Sequence, residues 1–286
     1  MKLKKWHIWL GFAISAVFLY LAFREVDFSQ VWSYLTHAQW SWVLLGLVFY
    51  FIGVWLRAFR WQILLNPLKK LSIPRLFQVV AIGYMGNNVY PARAGELLRA
   101  VLLKQKDQIS ISASLATIVV ERLFDALVIM GLVLLNLSQL TALPSAQSYV
   151  GAIRAVATWG AVIFLALFAL FLALVLFPKP TQKALDWIIN HLVIARLRKG
   201  ISDFLTRFIE GLSSLRSAGE TLKVLLFSIA IWTCETGLYW GVMKAMGIQL
   251  SFMSLMLING VVNLVLLIPA APGGLGTFDA AGKAML

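Results

Sequence analysis

Charge is scarce in this chain. Only 13% of its 286 residues are Asp, Glu, Lys or Arg, against about 25% in an ordinary soluble domain. With 60% hydrophobic residues and a mean hydropathy of +0.84, this shortage excludes a soluble globular enzyme and a disordered tail. Cysteine is nearly absent: Cys234 alone excludes an internal disulfide and a disulfide-stapled module. Histidine is limited to His7, His37 and His191, too scattered for a zinc set, so neither metal nor cofactor is expected. Acidic residues number 12 against 25 Lys plus Arg, giving a net charge of +13. A basic excess suits nucleic acid or an anionic membrane surface, and the apolar excess selects the membrane. No nucleic-acid partner is expected. Also missing are a Walker A loop, an HExxH pair and a Gly-x-Ser-x-Gly elbow, so ATP-driven pumping and hydrolysis have no residues to carry them. No enzymatic activity is expected.

What is present is a series of apolar runs. A spanning helix needs roughly 20 apolar residues. Residues 6–23 follow Lys2, Lys4 and Lys5 and form the first candidate, a retained signal anchor. A cleaved signal peptide is the competing reading, but Phe23-Arg24-Glu25 lacks the small-residue cleavage pattern. Further spans are expected at 40–56, 111–137, 152–177 and 223–242, with Arg57, Arg60 and Trp61 at the interface that ends the second.

Two segments behave differently. Residues 76–90 run into Pro91-Ala92-Arg93-Ala94-Gly95-Glu96 and a second helical stretch over 97–104. Proline removes a donor and disfavours helix in the residue before it, so two short helices meeting at a break are expected, as in a re-entrant hairpin. Residues 252–268 meet a similar break at Pro269-Ala270-Ala271-Pro272-Gly273-Gly274-Leu275-Gly276. A Pro-kinked single helix is the plainer alternative at each place.

The Lys/Arg bias orients these spans. Eighteen of the 25 basic residues fall at the N-terminus or within 57–75, 104–106 and 178–223, which places those segments, and the N-terminus, in the cytoplasm. The two halves then enter the membrane with opposite sense, and their breaks share a rough text: Asn87, Pro91, Gly95 and Glu96 against Asn263, Pro272, Gly276 and Asp279. Matching interrupted segments in inverted halves point to a site near the midplane. The expected fold is all-α: a polytopic integral membrane protein forming one membrane domain over 1–286. It is an inverted repeat, about 1–137 and about 152–286, with two re-entrant helical hairpins, the second half lacking its closing span. Residues 178–222 form a basic amphipathic cytoplasmic segment, suited to lie on anionic lipid.

Ionisable groups inside spans are costly, at least about 2.5–3.5 kcal/mol each on insertion scales. Those present are Arg93, Glu96 and Arg99 beside the first break, Glu121, Arg122 and Asp125 in the span after it, Glu235, and Asp279. Glu121 and Asp125 are four apart and share a helix face, which could meet Arg93 or Arg99. Such pairs either hold the hairpin structurally or receive a charged head group, and the two roles are compatible. The helix start after Pro91 and Gly95 also offers free N–H groups and a positive dipole end; a plain tight turn is the alternative.

Gly83-Tyr84-Met85-Gly86-Asn87-Asn88-Val89-Tyr90-Pro91-Ala92-Arg93-Ala94-Gly95-Glu96-Leu97-Leu98-Arg99, then Val120-Glu121-Arg122-Leu123-Phe124-Asp125, then Pro272-Gly273-Gly274-Leu275-Gly276 resemble, in order, the motifs of the lysylphosphatidylglycerol synthase transmembrane region, the flippase-like or UPF0104 family. The resemblance implies an inner-membrane protein that moves lipids between leaflets. Two-domain relatives carry a cytosolic aminoacyltransferase domain that this chain does not show, so synthase activity is not implied. Asp279 stands where the family usually has glutamate. The expected function is binding, and as its extension translocation, of an anionic phospholipid or lipid-linked precursor, with Arg93 and Arg99 receiving the head group and Glu96, Glu121 and Asp125 holding them. The alternative is a non-transporting scaffold or regulator of an envelope lipid enzyme. Membrane lipids are the expected partners, with a homo-oligomer or an envelope enzyme as further candidates.

Overall fold

The computed structural model describes residues 28–89, 94–138, 150–192 and 194–265, which form ten α-helices, one short 3-10 turn and no strand. In order these are α1 (Phe28–His37), α2 (Trp40–Leu65), α3 (Ile73–Val89), α4 (Gly95–Asp107), α5 (Ile111–Leu135), α6 (Val150–Leu176), α7 (Pro178–Leu192), α8 (Ala195–Gly211), α9 (Ala218–Ala245) and α10 (Phe252–Val265). The chain is therefore an all-helical, polytopic membrane protein. Three helices are long and apolar enough to span: α2, the 158–176 part of α6, and α9. At 1.5 Å per residue the 25-residue α5 is also long enough, about 37 Å; its three ionised residues depress its hydropathy rather than its length. The first expected span, 6–23, and the second break, from Pro272 through Gly273, Gly274 and Gly276 to Asp279, lie outside the described residues.

One expectation is corrected at α2. The apolar run ends at residue 56, but the helix continues to Leu65, and Arg57 and Arg60 turn in among the other helices. Both find carboxylates on other helices, which removes the reason for the helix to end there. α1, just before α2, leaves Trp32 and Tyr34 exposed.

Lipid tails are as apolar as leucine, so helices associate in a bilayer through close packing and polar contacts. α2 and α9 do so along most of their length. They run antiparallel: Gly46 faces Gly241, Gly53 faces Cys234, and the Gln39 amide donates to the Ala245 carbonyl. Trp42 meets Trp240 edge-on and Phe59 stacks on Phe227 at the two ends. α3 and α4 form a second antiparallel pair. A Cβ on Gly95 would collide with the Gly83 carbonyl, and one on Gly86 would lie 2.9 Å from the Gly95 Cα. Small residues at 83, 86 and 95 are therefore what let these helices touch. α5 sits between the pairs, with α8 closing its starting end, where Gly211 packs on Ala113 and Ala116. Its start is fixed by the Ser110 hydroxyl, which caps the Ala113 amide. α6 presents Trp159, Ile163, Leu167 and Leu170 outward, as a lipid-facing helix does.

Replacing Gly241 with leucine forces α9 from α2, because even the Cβ would lie 2.7 Å from the Trp42 carbonyl oxygen. Overpacking of about 1–3 kcal/mol should lower the melting temperature of the detergent-purified protein by about 5 °C or more. Gly131→Ala, whose Cβ meets nothing within 4 Å, should leave it unchanged or raised.

Candidate functional site

Four helices bring their ionisable side chains to one region. Glu121 and Asp125 of α5 do share a face, and that face points into the bundle: Glu121 is 1% exposed. Between them stands Arg60 of α2, fully buried. Its Nη1 donates to Asp125 Oδ1 and, at 2.7 Å, to the Ser228 hydroxyl of α9, while Nη2 donates to Asp125 Oδ2 at 3.3 Å. The Trp232 indole N–H adds a 3.1 Å bond to Asp125. Arg60 Nη2 also lies 3.7 Å from Glu121. One guanidinium thus ties α2, α5 and α9.

Arg99 of α4 reaches the other side of Glu121, with Nη2 2.8 Å from Oε2 but not aligned for a hydrogen bond. Its guanidinium lies 3.9 Å above the Trp61 ring, a cation–π contact that desolvation strengthens. Trp61 in turn donates to Thr117 of α5 at 3.0 Å. The Arg99 stem fills the space that Gly83 leaves; a Cβ there would approach it to 2.6 Å. Gly95 is consumed in the same way, by packing on Gly83 and on Asn87, whose side-chain oxygen is buried without a hydrogen-bond partner. Gly95, expected to shape the helix start, also serves helix packing.

Arg122 differs from the other arginines. It is the twelfth of the 25 residues of α5, hence near the middle of that helix, yet its side chain is 39% exposed. Glu96, in the first turn of α4, approaches its Nε to 3.4 Å, and Asp125 approaches Nη2 to 3.4 Å. Arg122 Nε is nonetheless buried without a hydrogen bond. Beside it begins α4, whose N-cap, Ala94, has no side chain able to cap its amides. The tip of the α3–α4 pair therefore lies alongside the middle of α5. Arg93 and Pro91 fall in 90–93, outside the described residues.

A separate pair lies on the other side of Arg60. Arg57 donates to Glu235 of α9 at 2.8 Å and lies over the Tyr84 ring at 5.4 Å. Further along α9, Thr236 accepts from Asn259 of α10, which accepts from Asn263 at 2.8 Å. Among the described residues no group of three or more His, Cys, Asp or Glu is gathered as metal ligands would be.

The geometry collects Glu96, Arg99, Glu121, Arg122 and Asp125. It adds Arg60, Trp61, Ser228 and Trp232, which sequence reasoning missed. Arg60 carried one usable signal: with Arg57 it lies three residues along a helix already long enough to span, and ionisable residues three apart share a face.

The order of these side chains along the chain matches a known profile. The lysylphosphatidylglycerol synthase TM region matches residues 8–286. The chain belongs to that family. It is similar to UPF0104 membrane proteins of Methanothermobacter thermautotrophicus, one being 25% identical over 94% of this chain and 79% of its own length, and another 24% identical over 93% and 80%. It is also 24% identical, over 95% of its length, to the glycosyltransferase AglD of Haloferax volcanii, of which it spans 47%. No solved structure matches it. The ion pairs Arg99–Glu121 and Glu96–Arg122 each join the 83–99 segment to the 120–125 segment of α5.

Breaking the central pair from one side leaves a charge stranded. Asp125→Leu should destabilise the purified protein by about 3–5 kcal/mol, whereas Arg60→Met/Asp125→Leu should recover most of that loss. A double-mutant cycle of melting temperatures measures the coupling.

Proposed function

We propose that this chain binds the anionic head group of a phospholipid or lipid-linked precursor at Arg122 and Arg99, and carries it across the membrane without a chemical step of its own. The observation that carries this reading is Arg122: a half-exposed guanidinium near the middle of a spanning helix, with an unmatched donor. At that depth a charge is sustained only by a partner or a wet opening. Guanidinium groups take phosphate oxygens in bidentate fashion, and the start of α4, which Ala94 does not cap with a side chain, adds N–H donors and a positive dipole end beside it. Phosphate-bearing lipid is the anion that a membrane holds in quantity.

In this reading the α3–α4 pair is re-entrant. Neither α3, with 17 residues, nor α4, with 13, reaches the roughly 30 Å of a hydrocarbon core, and the Glu96–Arg122 contact sets their tip half-way along α5. The antiparallel packing of α2 on α9 supports an inverted relation between the halves. Residues 266–286, with Pro272, Gly276 and Asp279, would supply the second half of the path, and Arg93 a further cation. The membrane is the cytoplasmic (inner) membrane, with Lys69, Lys70, Lys104 and the basic α7–α8 segment on the cytoplasmic side together with the N-terminus, as the positive-inside bias requires.

The test is lipid movement in proteoliposomes carrying fluorescent phosphatidylglycerol. Arg122→Ala should slow movement about ten- to a hundredfold, the weight of one or two charge-assisted hydrogen bonds, while the protein keeps its melting temperature within a few degrees. A folded Arg122→Ala protein that moves phosphatidylglycerol at the wild-type rate contradicts the assignment.

A further inference from the structure

α7 carries more apolar surface than the protein covers. Ile189 is 6% exposed and Leu185 is half-buried, so this side of the helix faces the rest of the fold. Around the helix from them Trp187 is 59% exposed, and Ala184 and Ile188 are exposed beside it. Ile194 and Leu197, where α8 begins, are uncovered as well. Lys179, Lys183, Trp187 and His191 stand at four-residue steps and share one helix face. All four are exposed, and the Trp187 and His191 rings stack at 4.8 Å. A contiguous apolar patch rimmed by charge marks a contact surface.

The chain itself brings a bilayer to this face. Residues 158–176 of α6 are long and apolar enough to span, and only Phe177 separates them from α7. Pro178 and Pro180 have no amides with which to continue α6. The Thr181 hydroxyl instead serves the Leu174 and Phe177 carbonyls, both at 2.9 Å. Trp187 comes nine residues after Pro178, about 14 Å along the helix. The later part of α8 is taken up differently. Phe208 and Leu212 pack into the core, and Gly211 packs on Ala113 and Ala116 of α5.

We infer that α7 docks on the anionic lipid surface where α6 leaves the bilayer, with Trp187 and Ile188 in the acyl boundary and Lys179 and Lys183 at the phosphates. Lysine stems lie along apolar surface while their ammonium groups reach the head groups, and an amphipathic helix of this composition settles at the interface. Lipid is the occupant favoured by charge and by connectivity together: the exposed lysines are cationic, and the face is tethered to a spanning helix. Of residues 178–222 this assigns α7 and the start of α8 to lipid, and the rest of α8 to α5. The surface is separate from Arg122 and does not depend on the head-group reading.

The test is backbone hydrogen exchange of the whole protein in nanodiscs of phosphatidylcholine, with and without phosphatidylglycerol. Amides over 183–192 should exchange about tenfold more slowly with phosphatidylglycerol present, the weight of two lysines at an anionic surface. Lys179→Gln/Lys183→Gln should lose that difference, while exchange in α2 and α9 stays as in the wild type and shows the fold intact. Lipid brominated near the top of its chains should quench the emission that Trp187→Phe removes. Equal exchange over 183–192 in the two nanodiscs, or a Trp187 emission that brominated lipid leaves unquenched, overturns the proposal. Protection that instead grows with protein concentration in lipid-free detergent assigns the face to a second copy and overturns it too.

Discussion

The structure depends on one buried guanidinium. Arg60 has no exposed surface and is bonded at once to Asp125 of α5 and Ser228 of α9, with Glu121 nearby. An isolated charge could not remain there, so the position of α2 is dictated by where α5 and α9 supply oxygen. Hydrophobic burial does not discriminate among helix arrangements inside a bilayer, and polar contacts of this kind do. The glycine-lined contact of α2 with α9 then follows as the close approach that the Arg60–Ser228 bond requires.

From that centre the charges become progressively more open. Arg60 is sealed, Arg99 is nearly so beneath its contact with Trp61, and Arg122 is half-exposed. The sealed pairs fix the scaffold, and the open pair is the least firmly held. On the proposed reading, a loosely held pair serves only beside firmly held ones, because a head group at Arg122 would need the start of α4 already in place. Glu121 secures this by gripping Arg99 one turn beyond Glu96.

Much of the architecture was legible in the sequence because a membrane imposes simple rules. Spans at α2, α6 and α9 follow from apolar length, and α3 and α4 are described as separate helices on either side of Pro91. The face shared by Glu121 and Asp125 follows from helix periodicity. The role of Arg60 did not, because hydropathy registers it as the end of a span, while its partners lie 65 and 168 residues away. The packing role of Gly95 was hidden for a similar reason: it depends on the nearness of Gly83, which only the folded helix pair defines. The end of α4 was hidden as well, since Gln108 adopts the left-handed conformation at φ 59° where glycine is the usual signal.

The central claim is that an ion-paired cluster holds Arg122 ready for an anionic head group. Native mass spectrometry of lipid retained by protein purified from membranes equal in phosphatidylglycerol and phosphatidylcholine tests it most directly. The account predicts that the wild type retains phosphatidylglycerol in clear excess and that Arg122→Ala loses the excess while remaining folded. Equal retention of the two lipids by the wild type, or an undiminished excess in Arg122→Ala, would contradict it.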